Sequence, residues 1–187
     1  MHNPEENPWK ITSESAIYDN PWINVTEYQV LNPAGNPGIY GKIHFKNLAI
    51  GVLPLDDELN TYLVGQYRFP LNQYSWEMPE GGGAFDATPL ASAQRELLEE
   101  TGLKANKWTE IQRMHLSNSV SDELSILYLA QHLEQFEPEP EETEQLVIKK
   151  LPFEELYQMV CSGLVTDSMT VAAVLKVKIM LMENMLF

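Results

Sequence analysis

Three glutamates, Glu96, Glu99 and Glu100, crowd one short stretch of the chain, Arg95-Glu96-Leu97-Leu98-Glu99-Glu100-Thr101-Gly102-Leu103. On a helix turning about 100° per residue they fall within an arc of roughly 100°. Leu90, Ala93, Leu97 and Leu98 fall away from that arc, which predicts an apolar back and a carboxylate front. Like charges three and four residues apart repel by roughly a few tenths of a kcal/mol per pair. Arg95, four residues before Glu99, supplies one counter-charge. A hard divalent cation would supply more, because such ions take oxygen ligands. Taken alone, the stretch reads as a solvated acidic face or as a metal site. Just upstream lie Gly81-Gly82-Gly83. Three glycines suit a flexible turn, or a loop whose backbone approaches a ligand closely. Loop and helix together predict a site for a Mg²⁺-bound diphosphate.

The elements that must position these groups are legible in outline. Thr88 suits the N-cap of a helix over about 89–101, Pro89 its first position and Gly102 its C-terminal cap. Leu48–Leu55 is a nearly continuous apolar run, expected as a buried strand, followed by the acidic turn Asp56-Asp57-Glu58 and a strand over Thr61–Tyr67. Further strands are expected near Trp108–Met114, Leu124–Leu133 and Leu146–Leu151. Helices are expected over Phe153–Cys161, where Cys161 reads as a core residue, and Ser168–Met185. Upstream, residues 1–12 read as a loose lead-in. Alternation from Ser15 to Leu31 and from Ile39 to Phe45, around the turn Asn32–Gly38, predicts a strand hairpin. The fold class expected is α+β, sandwich-like.

Composition narrows the partners. With 187 residues the chain suits one compact domain plus an extra element. Twelve Lys and Arg against 27 Asp and Glu leave a net charge of −15, so a bare phosphate backbone would be repelled and nucleic-acid binding is not expected. One cysteine, Cys161, allows no intrachain disulfide and points to a reducing compartment. The first residues show no signal-peptide pattern, and the C-terminal apolar stretch carries Lys176, Lys178 and Glu183, so it reads as an amphipathic helix and not a membrane span. A cytoplasmic protein without a membrane partner is expected.

Gly81, Arg95-Glu96-Leu97, Glu99-Glu100, Gly102 and Leu103 resemble the Nudix box, Gly-x5-Glu-x7-Arg-Glu-apolar-x-Glu-Glu-x-Gly-apolar, with matching spacing from Gly81 to Leu103. One position departs: the first Glu of the box falls on Ala87. Gln66-Tyr67-Arg68-Phe69-Pro70 and Trp76-Glu77-Met78-Pro79-Glu80-Gly81-Gly82 resemble segments of the branch acting on ADP-ribose and nucleoside diphosphate sugars, with Glu80 where that branch has Ala.

The resemblance implies a Nudix-type α/β/α sandwich with a mixed sheet over residues 46–187, plus N-terminal antiparallel strands in residues 1–45 that build a homodimer. It implies hydrolysis of the diphosphate of a nucleoside diphosphate sugar (ADP-ribose, GDP-mannose or similar) to two monophosphates, with Mg²⁺ as cofactor and Mn²⁺ able to substitute. Glu96 and Glu100 are then the main metal ligands, assisted by Glu99 and the Glu80 carbonyl. Glu142 matches the general base, with Glu144 as a base or an extra ligand. Arg68 is the expected diphosphate contact. Glu77, Trp22 and Gly82 are the other expected substrate contacts. The alternatives are a Nudix-like regulator that binds nucleotide sugars without turnover, for which Ala87 is the motive, and a Nudix pyrophosphatase for another nucleotide.

Overall fold

The computed structural model describes residues 5–136 and 146–186, which form two units. The first comprises residues 1–47 and 117–123, the second residues 48–116 and 124–187.

The N-terminal unit is a three-stranded antiparallel sheet, β1 (Lys10–Asp19), β2 (Ile23–Leu31) and β3 (Pro37–Phe45), in that order. The lead-in expected through residue 12 is therefore already strand from Lys10. Its register with β2, Lys10 opposite Leu31, captures residues that carry no strand signal of their own. Every residue of β1 is exposed, and Val30 is the one buried hydrophobic residue of β2.

Segment 117–123 closes on β3 through Ile43 N–H to the Val120 carbonyl (2.8 Å) and Asp122 N–H to the Ile43 carbonyl (3.2 Å). Asp122 also accepts from the Phe45 N–H at 3.1 Å, pairs with His44 Nδ1 at 2.7 Å and meets Lys42 Nζ at 3.1 Å. Its burial alone would raise the carboxyl, but these partners outweigh burial and hold it from 3.8 down to about 2.

The second unit holds a seven-stranded mixed sheet. Its path is β10 (Val147–Pro152), β5 (Asn60–Arg68), β4 (Leu48–Leu55), β9 (Leu124–Gln135), β8 (Leu103–His115), with β6 (Gln73–Glu77) paired to β5 and β7 (Glu80–Gly83) paired to β4. Among the described strands of this sheet only β4 and β9 run parallel, Ala49 opposite Ser125 through Leu55 opposite Gln131. Over the stretch where they pair, both strands are buried on both faces, which is why each reads there as a nearly continuous apolar run. Ile50, Val52, Ile126 and Tyr128 face helix α1 (Pro89–Thr101) with Ala93 and Leu97. Leu53, Leu55, Leu127 and Leu129 face the side of α2 (Phe153–Cys161) and α3 (Ser168–Met182), with Leu156, Ala173 and Val177. The result is the expected α/β/α sandwich.

Three sequence expectations shift. Gly81-Gly82-Gly83 is not a loop but part of β7, with Gly81 opposite Ile50 and Gly83 opposite Leu48, because strand β4 supplies the hydrogen-bond partners that the glycine run lacks locally. Cys161 is exposed at the end of α2, not in the core. The C-terminal helix ends at Met182, three residues early, and no helix among the described residues is long and apolar enough to cross a membrane.

Asp122 anchors the last strand of the N-terminal sheet, so its replacement should loosen that edge. Asp122→Ala is expected to lower hydrogen-exchange protection of the Ile43 and Phe45 amides by roughly tenfold at neutral pH. Because the folded carboxyl titrates below its unfolded value, its contribution is present above pH 3.8 and is lost as the pH falls through about 2. Wild-type protection of those amides should fall over that window and the variant's should not.

Candidate active site

Helix α1 is set by its ends. Thr88 Oγ1 accepts from the Ala91 N–H at 3.2 Å, Pro89 opens the first turn, and Gly102 at φ 69° lets its N–H reach the Leu98 carbonyl at 2.8 Å. The face it buries differs from the one expected. Ser92, Ala93, Glu96, Leu97, Glu100 and Thr101 are buried, Leu90 is exposed and Leu98 is half-buried. The seam thus runs along Ser92, Glu96 and Glu100 as well as Ala93 and Leu97. Two of the three carboxylates lie inside, at 7% and 2% exposure, where a solvated acidic face would leave them outside.

Gly81 makes this possible. A Cβ there would stand 2.3 Å from the Glu96 carboxyl carbon, so a side chain at this position would displace the Glu96 carboxylate from where it lies against β7. Arg95 forks over the result: Nη2 donates to Glu96 Oε1 (2.5 Å) and to the Gly82 carbonyl (2.9 Å), and Nη1 donates to Glu99 Oε2 (2.6 Å). Burial works against the guanidinium's charge, but Glu96 and Glu99 outweigh it and push its pKa up. Glu100 Oε2 accepts the Glu80 backbone N–H at 3.0 Å. Two carboxylates of the helix, Glu96 and Glu99, therefore gather around a positive group, Arg95, and the third, Glu100, is held by a backbone N–H. Among the described residues no three His, Cys, Asp or Glu side chains stand together as a ready-made cation cage. The donor set nonetheless fits a hard cation: ionisable oxygens, two of them on buried side chains, beside a backbone that a Cβ would obstruct.

Ala87, where the box has its first Glu, is exposed in the turn before α1.

A second cluster sits where β5, β6 and β7 meet the start of α3. Arg68, the expected diphosphate contact, grips two carboxylates. Its Nε donates to both oxygens of Glu77 at 3.0 Å, and its Nη2 donates to Glu77 Oε2 (2.6 Å) and Glu80 Oε1 (2.9 Å). Glu77, also expected as a substrate contact, is 2% exposed and is the buried anchor of that fork. Asp167 caps α3 through the Thr170 N–H at 2.7 Å, and Thr170 Oγ1 accepts the Met78 N–H at 3.0 Å, which ties the helix start to the Trp76–Glu80 segment. Burial, then the charges of Asp167 and Glu77, push the Glu80 carboxyl well up against the pull of Arg68. The Glu80 side chain also hydrogen-bonds with Asp167, a contact that favours the protonated form of Glu80. Glu80 was singled out in the sequence for its carbonyl alone; its side chain could have been flagged because an acid stands where the similar branch has Ala.

Trp22 belongs to the N-terminal unit, 67% exposed at the β1–β2 turn. Gly82 lies in β7 and meets Arg95 through its carbonyl. Glu142 and Glu144 fall outside the described residues.

Comparison with known proteins meets this geometry. Residues 45–165 match the NUDIX domain, and residues 9–43 match the nucleoside diphosphate sugar hydrolase N-terminal domain. The chain is 34% identical over 128 residues to a protein of Bacillus subtilis (strain 168) named ADP-ribose pyrophosphatase, covering 67% of this chain and 69% of that one. It is 32% identical over 134 residues to a Mycobacterium tuberculosis (strain ATCC 25618 / H37Rv) protein of the same name, covering 69% of this chain and 64% of that one. A crystal structure of an ADP compounds hydrolase shares the fold, with a TM-score of 0.86 and 18% identity, over 97% of this chain and 98% of that one. Because the NUDIX match spans well over half the chain and lies across the buried-glutamate helix, this protein belongs to the Nudix hydrolases.

Proposed function

We propose that the protein hydrolyses the diphosphate of a nucleoside diphosphate sugar, ADP-ribose or a related ADP-sugar foremost, to two monophosphates. The observation that carries the reading is the paired burial of Glu96 and Glu100 against β7, with Gly81 leaving room for the first. Burying two carboxylates is costly unless positive charge compensates them. The names of the relatives and the N-terminal domain match support the substrate class.

Glu96, Glu99 and Glu100, with the Glu80 carbonyl, would hold Mg²⁺, for which Mn²⁺ can substitute. Bound there, the ion neutralises phosphate charge and lowers the pKa of water. The chain's own part is positional. Arg95 holds Glu96 and Glu99 toward one side of α1, and the Glu80 N–H orients Glu100. Water attacks one phosphorus, the bridging P–O bond breaks, and each product leaves as a monophosphate. Glu142, or Glu144, would take the proton from the attacking water, a role the resemblance assigns. Arg68 offers Nη1 to the substrate while Glu77 and Glu80 hold its other nitrogens. Trp22 and Gly82 remain proposed substrate contacts. A single cysteine fits a reducing, cytoplasmic setting.

The N-terminal sheet would join two copies. Ile11, Ile17 and Ile39 are each at least 60% exposed there, more apolar surface than a small sheet usually leaves to water.

Four outcomes test these readings. Incubated with ADP-ribose and Mg²⁺, the protein should release AMP and ribose 5-phosphate, seen by chromatography, and a chelator should stop it. Glu96→Gln and Glu100→Gln should each lower kcat by about a hundredfold or more while the far-ultraviolet circular dichroism stays unchanged; normal turnover in either would remove the ligand assignment. Gly81→Ala, which must push the Glu96 carboxyl aside, should cost activity on a similar scale and leave the protein folded. Light scattering should give twice the chain mass for wild type, and Ile17→Lys with Ile39→Lys should yield monomer.

A further inference from the structure

Between α1 and β8 lies a cavity of about 390 Å³, lined by Gln94, Arg95, Leu98, Lys104, Ala105 and Trp108. Small-molecule sites occupy roughly 300–1,000 Å³. Residues two apart on a helix are about 200° apart, so Gln94 and Leu98 look away from Glu96 and Glu100. The chain carries 27 Asp and Glu, yet this wall holds none. The cavity beside Arg68, of about 260 Å³, is by contrast lined by Glu77, Glu80 and Asp167 among others.

Both cations of the wall have donors to spare. Arg95 uses one Nη1 hydrogen on Glu99 and both Nη2 hydrogens on Glu96 and the Gly82 carbonyl. A guanidinium has five, so Nε–H and a second Nη1 hydrogen remain. Lys104 Nζ stands 4.5 Å from the centroid of the Phe136 ring and meets no carboxylate among the described residues. The rest of the wall is mostly apolar. Trp108 Nε1 donates to the Ala105 carbonyl at 2.9 Å, so the indole asks no hydrogen bond of a ligand. Its ring is half-buried, edge-on to Tyr128 with centroids 6.3 Å apart. Gln94 adds an exposed amide, which both donates and accepts.

An anion suits Arg95 and Lys104, a flat ring suits Trp108 and Leu98, and a ring edge with donors and acceptors suits Gln94. A nucleotide carries all three. One phosphate matches the two cations, and each further phosphate would add charge that the wall has no cation left to meet.

We propose that this cavity is a second nucleotide site, distinct from the carboxylate front of α1, and that it takes a nucleoside monophosphate with the phosphate between Arg95 and Lys104 and the base against Trp108. The inference goes beyond the hydrolase reading and its test needs no turnover.

The test is calorimetric binding of AMP to metal-free protein. Metal is left out so that the carboxylate front repels phosphate and stays empty. Wild type should bind one AMP per chain with a Kd of about 1 mM or below. Adenosine, which lacks the phosphate, and ribose 5-phosphate, which lacks the base, should each bind about tenfold or more weaker. Lys104→Glu, at an exposed position, should weaken AMP by about tenfold or more, and Lys104→Arg should stay within about threefold of wild type. Ala105→Trp, which fills the cavity, should abolish binding. Lys149→Glu makes the same change of net charge on β10, at the opposite edge of the sheet, and should leave the affinity within about twofold of wild type.

Absence of saturable AMP binding overturns the proposal. So does adenosine or ribose 5-phosphate binding as tightly as AMP, since the site would then read only a ring or only an anion. Unchanged affinity in Lys104→Glu, or an equal loss in Lys149→Glu, would place the nucleotide elsewhere and overturn it as well.

Discussion

Two ionisable side chains held out of water against a strand with no side chain in the way are the constraint on which the rest depends. Glu96 and Glu100 lie inside the α1–sheet interface, and Gly81 is the gap that admits the first. Carboxylates taken from water need compensation. Part of it is visible: Arg95 bonds Glu96, and the Glu80 N–H meets Glu100. The capped ends of α1 then matter for a reason beyond helix stability. Thr88 and Gly102 set where the helix begins and stops, and so which of its residues meet β7.

The same logic governs the second cluster. Glu77 is buried because Arg68 forks onto it, and Arg68 is held because β5 and β6 pair Arg68 with Gln73 and Val64 with Glu77 in one register. Asp167, half-buried beside them, directs its carboxylate to the cap of α3. Thr170 then fastens that helix start to Met78, midway between Glu77 and Glu80. One short segment, 76–80, therefore serves both clusters. Its backbone reaches the carboxylate helix and its side chains reach the Arg68 cavity.

Local signals were enough for some of this. Cap residues act within a single turn, so Thr88, Pro89 and Gly102 place α1 at 89–101 without any tertiary information. Arg95 and Glu99 are neighbours on any helix, and their ion pair follows from a spacing of four. The buried strands β4 and β9 announce themselves as apolar runs. Where two elements must meet, local signals failed. A run of glycines has no strand preference, and β7 exists because β4 offers it a partner. Lys10–Thr12 lack a strand pattern and are recruited by register with β2.

The amino-acid order alone thus decides the existence of the carboxylate helix, its limits, the spacing of its acids and the family whose motif they match, since all of these depend on neighbours a few residues apart. Only the packed chain decides which of those acids are buried and which partners Arg68 takes. Helical periodicity says that Glu96 and Glu100 share a face with each other. It does not say that the face turns inward, because that depends on a glycine in a strand that another strand holds in place.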